Sequence, residues 1–166
     1  MVVDRERQCA VPDMPEKPLP KALAFDVFGT VVDWRTSVAR ESTALLEAIG
    51  LDGTDAAAFA DDWRNQYIAA MIGMETSGRA FVPLDMLHRE MLEATLRAHN
   101  VDPARLDAAL LDDWNRAWHR LDPWPDTIEG LMRMKARLPI VTLSNGNVAL
   151  LLAMARRAGL PWDAIL

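Results

Sequence analysis

Apolar positions recur along this chain with two periods, and the switches between them outline its organisation. From Ala22 to Phe28 the run is apolar except for one acid, Asp26, and Gly29-Thr30 closes it. That length and punctuation predict a strand buried on both faces, as in a parallel sheet. A second run at 138–143, with Pro139 tolerated at its start, predicts another strand and ends on Ser144-Asn145-Gly146-Asn147. Between the two the spacing is helical. One helix is predicted over 36–49 and stops at Gly50, a second runs from 54 to about 73, and a third covers 84–98. A fourth takes Asp102 as N-cap and Pro103 as first residue and continues to about 121. Asp126 and Glu129 have the spacing of a capping box that opens a helix through 137, and Asn147 caps a final helix ending at Gly159.

This order, strand, four helices, helix, strand, helix, predicts an α/β fold: a doubly wound, Rossmann-like parallel sheet core with an inserted helical cap over the C-terminal ends of the strands. The core is assigned to 21–35 and 122–166 and the cap to 36–121. Residues 1–20, rich in charge and proline, read as a disordered leader without a signal-peptide core.

Composition narrows the partners. With 51% hydrophobic and 25% charged residues, the chain suits a soluble globular protein with a sizeable core. Its 18 Lys+Arg against 24 Asp+Glu give a formal charge of -6. No broad basic field exists for nucleic acid or an anionic membrane, so an anionic substrate needs a local cationic pocket. The single cysteine, Cys9, permits no intrachain disulfide and fits a reducing, cytoplasmic setting. The longest apolar stretch, 149–155, falls short of the roughly 20 residues that span a bilayer.

Asp26 stands at the C-terminal end of the first strand, where open α/β sheets bind ligands. An ionised carboxylate in such a run is costly unless it meets donors, and the turn through Val27, Phe28, Gly29 and Thr30 offers backbone N–H groups. Arg64 supplies a permanent cation with fixed donors; read without context, it is a solvent-facing arginine paired with Asp61 or Asp62. Ser144 and Asn145 likewise suit an ordinary turn and helix cap. His88, His99 and His119 lack ligand spacing and read as partly exposed helix residues, while the methionines and tryptophans read mainly as core filling.

The stretch Phe25-Asp26-Val27-Phe28-Gly29-Thr30-Val31-Val32-Asp33 resembles the first motif of the haloacid dehalogenase superfamily, and Leu143-Ser144-Asn145-Gly146 resembles its second. Both stand in the family's order, separated by a helical insertion of the kind the family uses as a cap. Most phosphatases of the superfamily carry an acid two positions after the nucleophile, where this chain has Phe28. A halide leaves without a proton, so the sequence is more similar to the type II, L-2-haloacid dehalogenase branch. The segment around Arg64, Asp62-Trp63-Arg64-Asn65-Gln66-Tyr67, resembles that branch's arginine-bearing helix.

The resemblance implies catalytic Asp26, Thr30 and Arg64, and substrate-binding Val27, Phe28, Ser144 and Asn145. Asp26 is the nucleophile, Thr30 orients it, Ser144 meets the substrate carboxylate and Asn145 lines the halide side. The implied reaction converts short L-2-haloalkanoic acids to 2-hydroxy acids of inverted configuration through an aspartyl ester, without a metal or other cofactor. In the family a lysine and an acidic motif follow this point, and Lys135, which precedes the second motif, does not match the lysine. The expectation is a shortened chain with an incomplete core and little activity alone. The alternatives are a magnesium-dependent phosphatase or phosphonatase and a non-catalytic fragment. The partner expected is a small anionic 2-halo acid, with a homodimer allowed for and no nucleic acid or membrane.

Overall fold

The computed structural model describes residues 19–78 and 80–166, with side chains omitted at 74–77. The predicted leader, with Cys9, therefore lies outside the described residues apart from Leu19 and Pro20. The two predicted strands form and pair in parallel: β1 (Leu23–Phe25) lies beside β4 (Ile140–Thr142), with Leu23 opposite Ile140 and Phe25 opposite Thr142. Ala164 adds a parallel bridge to Val141, giving a small sheet. β1 is shorter and less buried than predicted. Ala22, Ala24 and Asp26 are exposed, because the sheet is narrow and the chain turns away after Asp26. Gly29 makes that turn at φ 90°, a conformation that side chains with a Cβ rarely adopt.

A short antiparallel pair, β2 (Val32–Asp33) with β3 (Asp122–Pro123), was not anticipated; two residues per strand leave no periodicity to read. It closes the base of a helical layer made by α1 (Trp34–Ala48), α2 (Ala56–Ser77), α3 (Leu84–Ala98) and α4 (Ala108–Asn115). The predicted fourth helix is broken. Asp102 caps only a 3₁₀ turn, Pro103–Arg105, Leu106 is extended, and Asp107 then caps α4 by accepting from the Ala109 N–H. Two Asx caps five residues apart compete for one helix start, and each begins its own. A second 3₁₀ turn, Arg116–His119, follows α4.

α5 (Thr127–Lys135) and α6 (Val148–Ala158) complete the layers. The predicted capping box does not form, because Asp126 has helical backbone angles and its side chain makes no cap bond. Asn147 does stand at the N-cap of α6, but its side chain is used elsewhere, as described below. The core gathers around Trp63, Trp114, Trp118 and Phe59, with Leu92, Leu96 and Leu121 beside them and Ile140, Leu150 and Met154 beneath. Met86 and Met132 are exposed, so these two are not core filling. No helix among the described residues is long and apolar enough to cross a membrane.

One flank joining the layers is densely charged. Asp122 accepts from Arg40 and, at 2.7 Å, from Arg157, while Glu41 accepts from Arg120 and, at 2.9 Å, from Arg40. Arg120 also reaches Asp113 at 3.1 Å.

Candidate active site

Asp26 follows directly on β1. The Thr30 hydroxyl donates to its Oδ2 at 2.9 Å, so one carboxylate oxygen is held while the other has no partner among the described residues. The expected backbone cradle is smaller than the turn suggested, since the Gly29 N–H donates to the Val32 carbonyl and the Val31 N–H to that of Val27. The exposure of Asp26 also corrects the idea of a carboxylate buried in the sheet. It stands at the mouth of a cavity of about 100 Å³, lined by Phe28, Arg64, Tyr67, Leu84, His88, Trp118, Ser144 and Asn145 as well. Of the predicted site residues, the fold thus brings Asp26, Phe28, Arg64, Ser144 and Asn145 around one cavity. Thr30 touches Asp26 from outside its lining, and the Val27 side chain is buried in the core.

Arg64 is not the paired surface arginine of the alternative reading. Asp61 is taken by Arg35 in two bonds of 2.7 Å, and Asp62 by His99 at 3.1 Å. Arg64 instead lies 4.4 Å from the ring centre of Tyr67, three residues on along the same face of α2, and 5.9 Å from that of Trp34. It forms no ion pair with a carboxylate among the described residues. A cation held by ring faces keeps its donors available for an anion.

The loop after β4 is tied to the helical layer at two points. The Asn145 amide donates to the Tyr67 hydroxyl at 2.6 Å. Asn147 accepts the Asp85 N–H at 3.2 Å and donates to the Asp85 carboxylate at 2.9 Å, so it caps α3 rather than its own helix. Asp85 also contacts His119 at 2.8 Å. Burial alone raises the pKa of Asp85, but the bonds from His119 and Asn147 and the nearby histidines outweigh it and hold the carboxyl below its ordinary range. Gly146 sits in this loop against Leu151, where a Cβ would lie 2.8 Å from the leucine side chain, so only glycine fits without displacement.

His88 corrects another expectation, being 2% exposed rather than a surface residue. Its i,i+4 spacing from Leu84 turns both toward the cavity, and its ring stacks on Trp118 at 4.3 Å. Burial, reinforced by Arg64 and opposed by Asp85, pushes its pKa from 6.5 to about 3, so His88 is neutral near pH 7. Tyr67, Leu84, His88 and Trp118 are the lining residues that pattern reading did not single out. A magnesium site needs several oxygen ligands. Asp26 is the one carboxylate of the lining among the described residues.

Solved structures resemble the whole arrangement. A defluorinating L-2-haloacid dehalogenase superposes with a TM-score of 0.84 at 49% identity, over 88% of this chain and 59% of its own. A second L-2-haloacid dehalogenase gives 0.79 at 44% identity, over 88% of this chain and 61% of its own. The L-2-haloacid dehalogenase from Xanthobacter autotrophicus with chloropropionic acid covalently bound gives 0.74 at 28%, over 89% and 56%. The chain therefore spans about three fifths of the length of these relatives. No family model and no curated protein matches it.

Proposed function

We infer, from a chain that belongs to the haloacid dehalogenase superfamily in its L-2-haloacid dehalogenase branch, that its cavity opens carbon–halogen bonds of short 2-haloalkanoic acids, with residues 36–121 serving as the cap. The observation that carries this reading is the pairing of Asp26 and the unpaired Arg64 around one small cavity whose third wall is the Phe28 ring. A cavity of about 100 Å³ is well below the ~300 Å³ at which drug-sized sites begin and suits a small acid.

In the first step the free Asp26 oxygen attacks the halogen-bearing carbon. A carbon–oxygen bond forms, the carbon–halogen bond breaks, and its electron pair leaves with the halide. Thr30 holds the other oxygen so that the attacking lone pair is oriented, and Arg64 balances the negative charge of carboxylate and halide. Ser144 Oγ meets the substrate carboxylate, with backbone N–H groups at Val27 and Phe28 beside it, and Asn145 lines the halide side. Phe28 in place of a general acid suits a leaving group that takes no proton.

The second step is attack of water on the Asp26 ester carbonyl, which returns the carboxylate and releases a 2-hydroxy acid of inverted configuration. No lysine lines the cavity among the described residues, and Lys135 is engaged by Asp163 at 2.8 Å. Ester formation is the half-reaction for which the described residues supply the nucleophile, the orienting hydroxyl and the cation. The test is intact-mass spectrometry after incubation with L-2-chloropropionate. A lactyl ester on Asp26, with one chloride released per ester, is expected. No adduct, together with magnesium-dependent phosphate release from a phosphate ester, overturns the reading.

A further inference from the structure

Among the described residues, four buried polar side-chain atoms have no hydrogen-bond partner: His88 Nδ1, Trp118 Nε1, Ser144 Oγ and Asn115 Oδ1. Three of them belong to residues that line the cavity beside Asp26. Burying such a group without a partner costs about 1–3 kcal/mol, so three around one small space mark a site that a ligand completes. Trp118 is the most informative, because an indole N–H only donates and its ligand must accept. The other fully buried tryptophans are satisfied: Trp63 donates to the His88 carbonyl at 2.9 Å and Trp114 to the Ser42 hydroxyl at 3.0 Å.

The Trp118 ring is fixed from several sides. It lies between Trp34 and His88, tilted 18° to each, and meets the edges or faces of Trp63 and Phe28 at steep angles. A donor held in this way needs little reorganisation as charge develops before it. Trp118 is only 1% exposed, whereas Asp26 is exposed at the mouth. Displacement at carbon sends the leaving group out on the side away from the nucleophile. The substrate carboxylate, a full charge from the outset, is better placed nearer the mouth with Arg64 and Ser144 than against an apolar wall.

We propose that the indole N–H of Trp118, held in place by the His88 ring, hydrogen-bonds the halogen of the substrate and the halide as it departs. This rests on the reading of the cavity as a 2-halo acid site. Trp118 touches the leaving group, and His88 is a positioning residue whose uncharged ring keeps the deep wall neutral. A small, hard halogen accepts such a bond best, so fluoride gains more from Trp118 than chloride, and chloride more than bromide.

The experiment titrates the 166-residue chain and its Trp118→Phe variant with sodium fluoride, chloride and bromide, and separately with propionate, which has the carboxylate but no halogen. Binding is followed by the indole and backbone amide signals in proton–nitrogen NMR. In the wild type, halide is expected to shift the Trp118 indole signal while propionate shifts the amides around Ser144. In Trp118→Phe, with a dispersed amide spectrum and retained Trp63 and Trp114 indole signals as proof of folding, fluoride binding is expected to weaken about tenfold and propionate less than twofold. Propionate loss with halide unaffected overturns the proposal, and so does a wild-type indole signal that stays still while other amides report halide. Failure of the wild type to bind either anion removes the 2-halo acid reading itself. If the variant does not fold, the wild-type indole shift decides alone.

Discussion

The charged flank and the cavity beside Asp26 draw on the same helices and treat their polar groups in opposite ways. On the flank, Arg40, Arg120 and Arg157 share Glu41, Asp113 and Asp122, and two of these arginines also donate to the Arg120 carbonyl. In the cavity, Arg64 has ring faces instead of a carboxylate, and Ser144, Trp118 and His88 carry buried atoms with no partner among the described residues. Saturated charge fixes how the helical layer sits on the sheet. Unsaturated polar groups around a cavity store interaction for something that enters. Changes on the flank should therefore cost stability and spare binding, and changes in the cavity should do the reverse.

Asp26→Asn gives the largest expected effect. The amide keeps the shape and the contact to Thr30 but is a poor nucleophile, so ester formation with L-2-chloropropionate should fall by about a thousandfold or more. The urea midpoint should stay near that of the wild type. A large loss of stability would place Asp26 with the flank rather than with the cavity.

The next effect is pH dependence. The folded chain holds His88 neutral down to about pH 3, whereas the unfolded chain protonates it near 6.5. Between those values the unfolded state carries the extra proton, so stability falls as pH falls through the window and this contribution levels off below about 3. The slope is bounded by one proton, about 1.4 kcal/mol per pH unit. Denaturant melts of His88→Phe between pH 6.5 and 4 should show a flatter dependence, and an unchanged slope would mean that His88 is charged or solvated in the fold.

Glu41→Ala probes the flank directly. It removes one of the two carboxylates that each of Arg120 and Arg40 meets, leaving Asp113 and Asp122, and a loss of about 1–1.5 kcal/mol is expected in urea unfolding. Propionate binding should not change. A matching loss of binding would mean that the two regions are one unit.

The same division explains what was legible in the sequence. Asp26, Phe28 and Thr30, and Ser144 with Asn145, sit in short segments whose geometry is local: a strand end and the turn after it. Arg64 was readable through its own helix, with Tyr67 one turn away. His88 and Trp118 were not, since their roles arise where α3 meets a 3₁₀ turn thirty residues later, and neither spacing nor composition predicts that stack. The broken fourth helix was hidden because Asp102-Pro103 is a sound helix start taken alone; only the stronger claim of Asp107 ends it. The burial of β1 was overestimated because an apolar run reports what a sheet can cover, not how many neighbouring strands are present to cover it.

Asn147→Ala carries the smallest expected effect and tests where the two regions meet. The N-cap position of α3 is Pro83, whose side chain offers no oxygen to the first turn, and Asn147 supplies the missing acceptor from across the layer while its amide bonds the Asp85 carboxylate. Removing both bonds should cost about 1 kcal/mol, as for other lost Asn caps. It also withdraws a group that favours the ionised Asp85, so the carboxyl pKa should move up toward its ordinary value while the His119 contact still holds it low. A carbon-detected titration of Asp85 reads the second effect and urea unfolding the first. The loop from Ser144 to Asn147 would then rest on Tyr67 alone, and its looser hold on Ser144 should weaken propionate binding by severalfold. A stability loss with propionate affinity unchanged would show that Asn147 belongs to the frame, and that Tyr67 alone fixes the cavity wall.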